Sequence, residues 1–277
     1  MTAMPLPRIG GASGFPLGYK PNPPDHRDLG LGRVPLLATP QRTSMNNAIF
    51  MPDILNQGNQ GACTAHAAVE DREFLHWQQI ARLGGTVAPP KGGMYSPSFL
   101  YFLERQIDAG WTGGPFIEGL GDVGSTGRSS CKVLNHFGCA TRADMPYNDA
   151  DYSTAPLPGQ LAEATKWITG QFHFAKNVDD MKSIIATGYN FRMGFAVDEG
   201  FEGIGSDGIW YAAGKILGYH EVLAYGYDDG VHGGSFLIRN SWGKDWGKSG
   251  DFYMSYAMAA DPNVVSDAVI QHLGKWS

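Results

Sequence analysis

The chain has 277 residues, of which 43% are hydrophobic and 12% aromatic, enough to bury a substantial core and too apolar for a disordered protein. Its formal net charge of −6 offers no basic footprint, which argues against nucleic acid as a partner. Three cysteines cannot form a disulfide framework, and no run approaches the roughly 18 apolar residues of a membrane-spanning helix.

Residues 1–55 are punctuated by prolines, among them Pro5, Pro7, Pro16, Pro21, Pro23, Pro24, Pro35, Pro40 and Pro52, and sustain neither a helical nor a strand period. They read as an extended arm, or for part of their length as a disordered tail. Within it, Gly18 to Asp28 mixes aromatic, turn and charged residues in the manner of a strip that packs on something. Met1 to Lys20 lacks the apolar core of a signal peptide, so the expected location is cytoplasmic, or outside the cell by a route that needs no signal peptide.

A loop rich in glycine and amides follows, Asn56-Gln57-Gly58-Asn59-Gln60-Gly61-Ala62, and delivers Cys63 to the first turn of a helix. A thiol there lies near unpaired backbone N–H groups and the positive end of the helix dipole, both of which favour the nucleophilic thiolate. The helix is expected over Cys63–Arg82, where Ala67, Phe74 and Ala81 repeat at seven and Val69, Leu75, Trp77 and Ile80 fill the rest of the girth. Gly84-Gly85 ends it. Ser96 as N-cap and Pro97 at the first position open a second helix to Arg105. After a glycine-rich loop over 110–127, a third helix runs from Ser129 to Phe137 and stops at Gly138.

Beyond a proline-marked connection, strands are expected over 171–178, 189–197, 215–227, 235–240 and 251–256, with a short helix at 179–186. Helices first and strands afterwards define an α+β protein in two halves. The organisation expected is an arm (1–55), a mainly helical half (56–165) and a mainly β half (166–277). Whether Cys131 and Cys139 pair is left open by the sequence.

Two signatures in the second half bear on Cys63. One is Gly218-Tyr219-His220-Glu221, at the start of a strand that runs on to Gly226-Tyr227. The other is Asn240-Ser241-Trp242-Gly243, followed by Trp246-Gly247 and Gly250. Together with Gln57, Gly58 and Cys63 these motifs resemble the papain-like cysteine peptidases, in the family's order and over most of the chain. His220 lies 157 residues after Cys63, close to the family's usual separation of roughly 130–150.

The resemblance implies a two-domain fold, a helical left domain and an antiparallel, β-barrel-like right domain, with the cleft between them. It implies a cysteine endopeptidase in which Cys63 is the nucleophile, His220 the imidazolium partner and proton donor, Asn240 the group that orients His220, and Gln57 an oxyanion donor. Trp242 would shield the His220–Asn240 bond. Gly124-Ser125 resembles the loop whose backbone pairs with extended substrate. Peptide or protein substrates are implied, and no cofactor or metal; the chain is taken as a monomer. Two other readings keep the same residues: a variant that transfers acyl groups or trims peptide ends, and a silent homologue acting as a binding or inhibitory module.

The chain departs from the family at several places. Gln60 stands where the family tends to carry a disulfide-bonded Cys, and Thr64 where a Trp is usual, which looks like a disulfide-poor branch such as occurs in bacteria. Glu221 takes a place that is usually small and lines the pocket for the second substrate residue. A carboxylate there would favour Lys or Arg in substrate, unless it pairs with a neighbouring cation such as Lys215 or Arg239. The arm is too short and too proline-rich for the usual helical pro-segment; part of it is expected over or near the cleft. His66, one turn beyond Cys63, is read as packing.

Overall fold

A computed structural model describes residues 15–26, 28, 30 and 43–273; the arm's segments 1–14 and 31–42 lie outside the described residues. The helical half is built on α1 (Cys63–Arg82), α2 (Pro97–Asp108) and α3 (Gly127–His136). α1 matches the expected span, and it is buried for most of its length, charged residues Glu70, Asp71, Arg72 and Glu73 included. That agrees with an apolar pattern that leaves no open face. The Ser96 hydroxyl caps α2 by accepting from Phe99 N–H, and Thr126 caps α3 by accepting from Ser129 N–H, which starts α3 two residues earlier than expected. Gly138, at φ +74°, carries the chain out of α3 in a conformation that L side chains rarely adopt.

After a short helix α4 (Pro158–Ala164), the chain enters one antiparallel sheet. Its main path is β2 (Thr169–Phe174), β7 (Val265–Leu273), β3 (Phe191–Asp198), β4 (Ile216–Asp228), β5 (Ser235–Arg239) and β6 (Asp251–Ser255). The sheet is open, so the barrel-like half is barrel-like only loosely. Two strands come from segments that the sequence pattern leaves unassigned. β7 occupies an interior place between β2 and β3. β1 (Ser44–Asn46), inside the span read as arm, pairs with the far end of β4 through Met45 opposite Tyr227. Among the remaining helices, α5 (Val178–Ala186) joins β2 to β3, while α6 (Glu199–Glu202) and α7 (Tyr256–Ala259) are single turns.

Buried apolar side chains fall into a sheet-side cluster centred on Phe191, Phe195, Phe201 and Phe252, and a helical cluster centred on Phe99, Leu103, Val133 and Leu134. A third, smaller group joins them: Phe74 and Leu75 of α1 meet Leu223 and Tyr225 of β4, with Met51. This seam fixes α1 across β4. It thereby brings the start of α1, with Cys63, to the start of β4, with His220.

Candidate active site

Three stitches bring the loop 55–57 to the segment after β5. Gln57 N–H donates to Ser241 C=O at 2.8 Å, Gly243 N–H donates to Leu55 C=O at 3.0 Å, and Asn56 forms a bridge with Trp242. The Ser241 hydroxyl also donates to Gln57 Oε1 at 2.6 Å, which leaves the carboxamide nitrogen of Gln57 to point into the cleft. Ala62, the N-cap of α1, has no side-chain acceptor, so no side chain at the cap competes for the N–H groups of the turn that carries Cys63.

His220 Nε2 lies 2.7 Å from Asn240 Oδ1. The same oxygen accepts from Ser241 N–H at 2.8 Å, which identifies it as the amide oxygen. An amide oxygen only accepts, so His220 carries its proton on Nε2, and Nδ1, buried and without a hydrogen bond among the described residues, keeps its lone pair. Trp242 lies tilted over His220, ring centroids 5.1 Å apart, and closes this pair off. The structure thus brings Gln57, Cys63, His220, Asn240 and Trp242 into one neighbourhood.

The cleft is filled by the protein's own arm. Phe15 stacks on Trp242, with centroids at 4.4 Å and planes 5° apart. Gln57 Nε2 donates to Pro16 C=O at 3.2 Å, as well as to Gln60 C=O at 2.9 Å. Gly18 C=O accepts from Ser125 N–H at 2.8 Å, Lys20 N–H donates to Ser125 C=O at 2.8 Å, and Tyr19 N–H donates to Tyr219 C=O at 3.2 Å. Gly18 runs so close to the Cys63 loop that a Cβ on it would lie 1.8 Å from Gly61 C=O. On the other side, a Cβ on Gly124 (φ +69°) would lie 1.8 Å from Gly18 C=O. The Tyr19 ring covers Gly194, and its hydroxyl donates to Asp267 Oδ2 and meets Ser266 Oγ at 3.0 Å.

The covered cleft sets the charge state. Burial pushes the Cys63 thiol up to about 12, with backbone hydrogen bonds to Glu221 and Gly18 opposing it. Burial likewise pushes His220 down to about 4, against the Asn240 hydrogen bond. Under the arm, both are neutral near pH 7. His66 belongs to the helix: its Nδ1 lies 2.8 Å from Ala62 C=O, its ring meets Tyr147 edge-on, and burial pushes it down to about 3.

Glu221 does not stand free in a pocket. It is buried, and its Oε1 accepts from Arg192 Nη1 at 3.0 Å. Neither cation named from sequence reaches it; Lys215 faces Glu199 and Arg239 pairs with Asp251. Arg192 was hidden in an apolar strand, Phe191-Arg192-Met193, where a single charge gives no periodic signal. Tyr19 and Asp267, from opposite ends of the chain, also escape any local motif. Cys131 and Cys139 are free; Cys131 packs on Arg192 and Cys139 lies in the helical core.

The sequence profile described as papain family cysteine protease matches residues 121–272, more than half of the chain, and the protein belongs to that family. It is therefore a hydrolase, a cysteine peptidase. The matched span holds His220 and Asn240, while Cys63 lies ahead of it. An uncharacterized peptidase C1-like protein of Acanthamoeba polyphaga mimivirus is 27% identical over 77% of this chain and 67% of its own length. Cathepsin B-like CP3 of Giardia intestinalis is 28% identical over 73% of this chain and 64% of its own. The chain thus spans about two-thirds of these curated relatives. Among solved structures, xylellain, a cysteine protease from Xylella fastidiosa, superposes with a TM-score of 0.78 at 25% identity, over 99% of this chain and 100% of that one. Procathepsin L2 from the Tenebrio molitor larval midgut shares the fold, with a TM-score of 0.64 at 20% identity over 85% of this chain and 70% of that one. Among the described residues no helix is long and apolar enough to cross a membrane.

Proposed function

We propose that the protein is a cysteine endopeptidase whose helical half (56–165) supplies Cys63, whose β half (166–277) supplies His220 and Asn240, and whose arm (1–55) restrains the cleft. The observation that carries the reading is the His220–Asn240 pair at 2.7 Å, sealed by Trp242, with the free lone pair of Nδ1 on the ring. With the arm withdrawn, water and mutual attraction favour the thiolate–imidazolium pair over the neutral one. The Cys63 sulfur then adds to the scissile carbonyl carbon, and the oxyanion takes hydrogen bonds from Gln57 Nε2 and the Cys63 N–H, each worth about 3 kcal/mol. His220 protonates the departing amine, and water hydrolyses the thioester, which releases the acid and returns the proton. Asn240 holds the ring in the orientation that both transfers need.

Pro16 C=O accepting from Gln57 supports the view that the arm sits where a substrate carbonyl belongs. Gly18→Val removes the arm without touching the catalytic groups, because its side chain has no room beside Gly61 C=O. The expected result is a rise in kcat/KM for an extended fluorogenic peptide by about tenfold or more. An epoxide directed at papain-type thiols should label this variant at Cys63 and fail on its Cys63→Ala counterpart. Absence of label on Cys63 in the folded variant would sink the catalytic reading; an unchanged kcat/KM would make the arm structural only.

The pocket filled by Tyr19 ends on Asp267, which also accepts from Asn22 Nδ2 at 3.0 Å. Since Glu221 is bound to Arg192, Asp267 is the carboxylate that an incoming side chain meets, and the pocket favours a donor or cationic tip. In a panel with Leu, Phe, Lys and Arg at that substrate residue, Arg should exceed Leu, and Asp267→Asn should cut the Arg-to-Leu ratio about tenfold. Leu cleaved as well as Arg by the unaltered pocket would count against it.

A further inference from the structure

The Cys63 turn has no disulfide, and the structure shows what holds it. Gly61 N–H, two residues before Cys63, donates to both carboxylate oxygens of Asp122, at 3.0 and 3.1 Å. The Tyr101 hydroxyl donates to Asp122 Oδ1 at 2.5 Å. That hydroxyl in turn accepts from Gly124 N–H at 3.0 Å. Gly124 precedes Ser125, whose N–H and C=O pair with Gly18 and Lys20 of the arm in the cleft. One carboxylate and one phenol therefore link the backbone that presents the thiol to the backbone that grips an extended chain.

The link is itself braced. Arg105, one turn after Tyr101 on α2, places its guanidinium 4.6 Å from the centre of the Tyr101 ring. The same Arg105 donates to Leu120 C=O at 3.1 Å and Gly121 C=O at 3.0 Å, just ahead of Asp122. Tyr101 is fully buried, so its hydroxyl has no water to fall back on and its geometry is set by these partners. Gly61 has no slack either: a Cβ there would lie 3.0 Å from Asp122 Oδ1.

We propose that Asp122 and Tyr101 are positioning residues that set the spacing between Cys63 and the Gly124–Ser125 rim, in the place of a covalent bridge. The inference rests on the endopeptidase reading above. Attack requires the sulfur and the substrate carbonyl to stand about 3–3.5 Å apart, and a misplacement of about 1 Å can cost roughly 100-fold. The sulfur rides on the Gly61 side of the link, and the carbonyl of a bound peptide rides on the Ser125 side.

The test uses the full chain and two rates. One is kcat/KM for a peptide long enough to pair with Ser125; the other is the second-order rate of Cys63 alkylation by iodoacetamide, which needs the thiolate but no rim. Both rates carry the same factor for the fraction of molecules with an open cleft and for the fraction of thiolate, so their ratio isolates the spacing. Tyr101→Phe, which keeps the ring and its packing, should lower that ratio about tenfold, and Asp122→Asn should lower it further. A ratio within about twofold of the unaltered protein for Tyr101→Phe would overturn the inference. Should Asp122→Asn fail to fold, Tyr101→Phe decides alone. Where the arm keeps the unaltered protein silent, the variants are compared in the Gly18→Val background; if that protein too is not alkylated at Cys63, or cleaves no peptide, the endopeptidase reading falls and this inference with it, whereas a labelled, active parent with an unmoved ratio removes this inference only.

Discussion

Cys63→Ala, made together with Gly18→Val so that the cleft is open, is expected to lower kcat/KM for peptide hydrolysis by at least about 10⁴-fold, with the loss in kcat. No other group at the site can take over the attack. His66 is tied to Ala62 C=O, and burial pushes it down to about 3. Cys131 and Cys139 sit in the packing, with thiols that burial pushes up to about 12. What the variant would retain, Gln57 and binding in the cleft, stabilises a transition state that no longer forms. Removing one sulfur from the N-terminus of α1 should leave the thermal midpoint close to the parent's, because Cys63 joins none of the three apolar clusters. Cys131→Ala and Cys139→Ala serve as controls and should leave kcat/KM within about twofold. Residual hydrolysis above roughly 1% of the parent, in a folded Cys63→Ala protein, would exclude Cys63 as the nucleophile.

The second large effect concerns stability. Arg192 is wholly buried between the two halves, 3.0 Å from Glu221 and 3.9 Å from Asp71, with Ser130 Oγ and the Cys131 sulfur as further partners. Removal of one partner from such a set strands the others, and Arg192→Met should cost about 3–5 kcal/mol of unfolding free energy near neutral pH. The carboxylates make this dependent on pH. Burial raises Glu221 from an ordinary value near 4.5 to about 8, and Asp71 from 3.8 to about 7, while Arg192 opposes both shifts. A group whose folded value is raised binds protons more readily when folded, so its contribution is fully present below the unfolded value and is lost as pH rises through the folded one. These two groups therefore withdraw stability between about pH 5 and pH 8, and without Arg192 to oppose the shifts the loss should run on to higher pH, so the penalty of Arg192→Met grows from pH 7 upward. Urea unfolding at pH 5, 6, 7 and 8 measures this; a penalty that does not grow with pH would show that the carboxylates do not depend on Arg192.

The sequence yielded most where the pattern is local. The girdle of apolar positions through Ala67, Phe74 and Ala81 fixed α1 to its ends, and Ser96-Pro97 marked the start of α2. The strand with His220 and the turn after Asn240 could be read because each packs its signature into a few consecutive residues. β7 was missed because Val265–Leu273 shows its meaning only once β2 and β3 flank it. β1 was missed because three residues carry no period. Charge partners were the least legible. Glu221 announces a carboxylate, but the cation that meets it stands 29 positions earlier, on the neighbouring strand. Tyr19 and Asp267 are separated by 248 positions, so no spacing rule could have joined them.

The segment Phe15–Lys20 is part of the same molecule as the cleft it fills, and that changes how the cleft competes. A free inhibitor leaves on dilution; a tethered segment does not, because its effective concentration is set by the chain and not by the amount of protein. A substrate must outcompete that local concentration at every encounter, so an intact arm raises the apparent KM of all substrates by one common factor. A single cut between Lys20 and Ser44 would convert this constant into an ordinary dissociation equilibrium, and the same contacts would then yield to dilution.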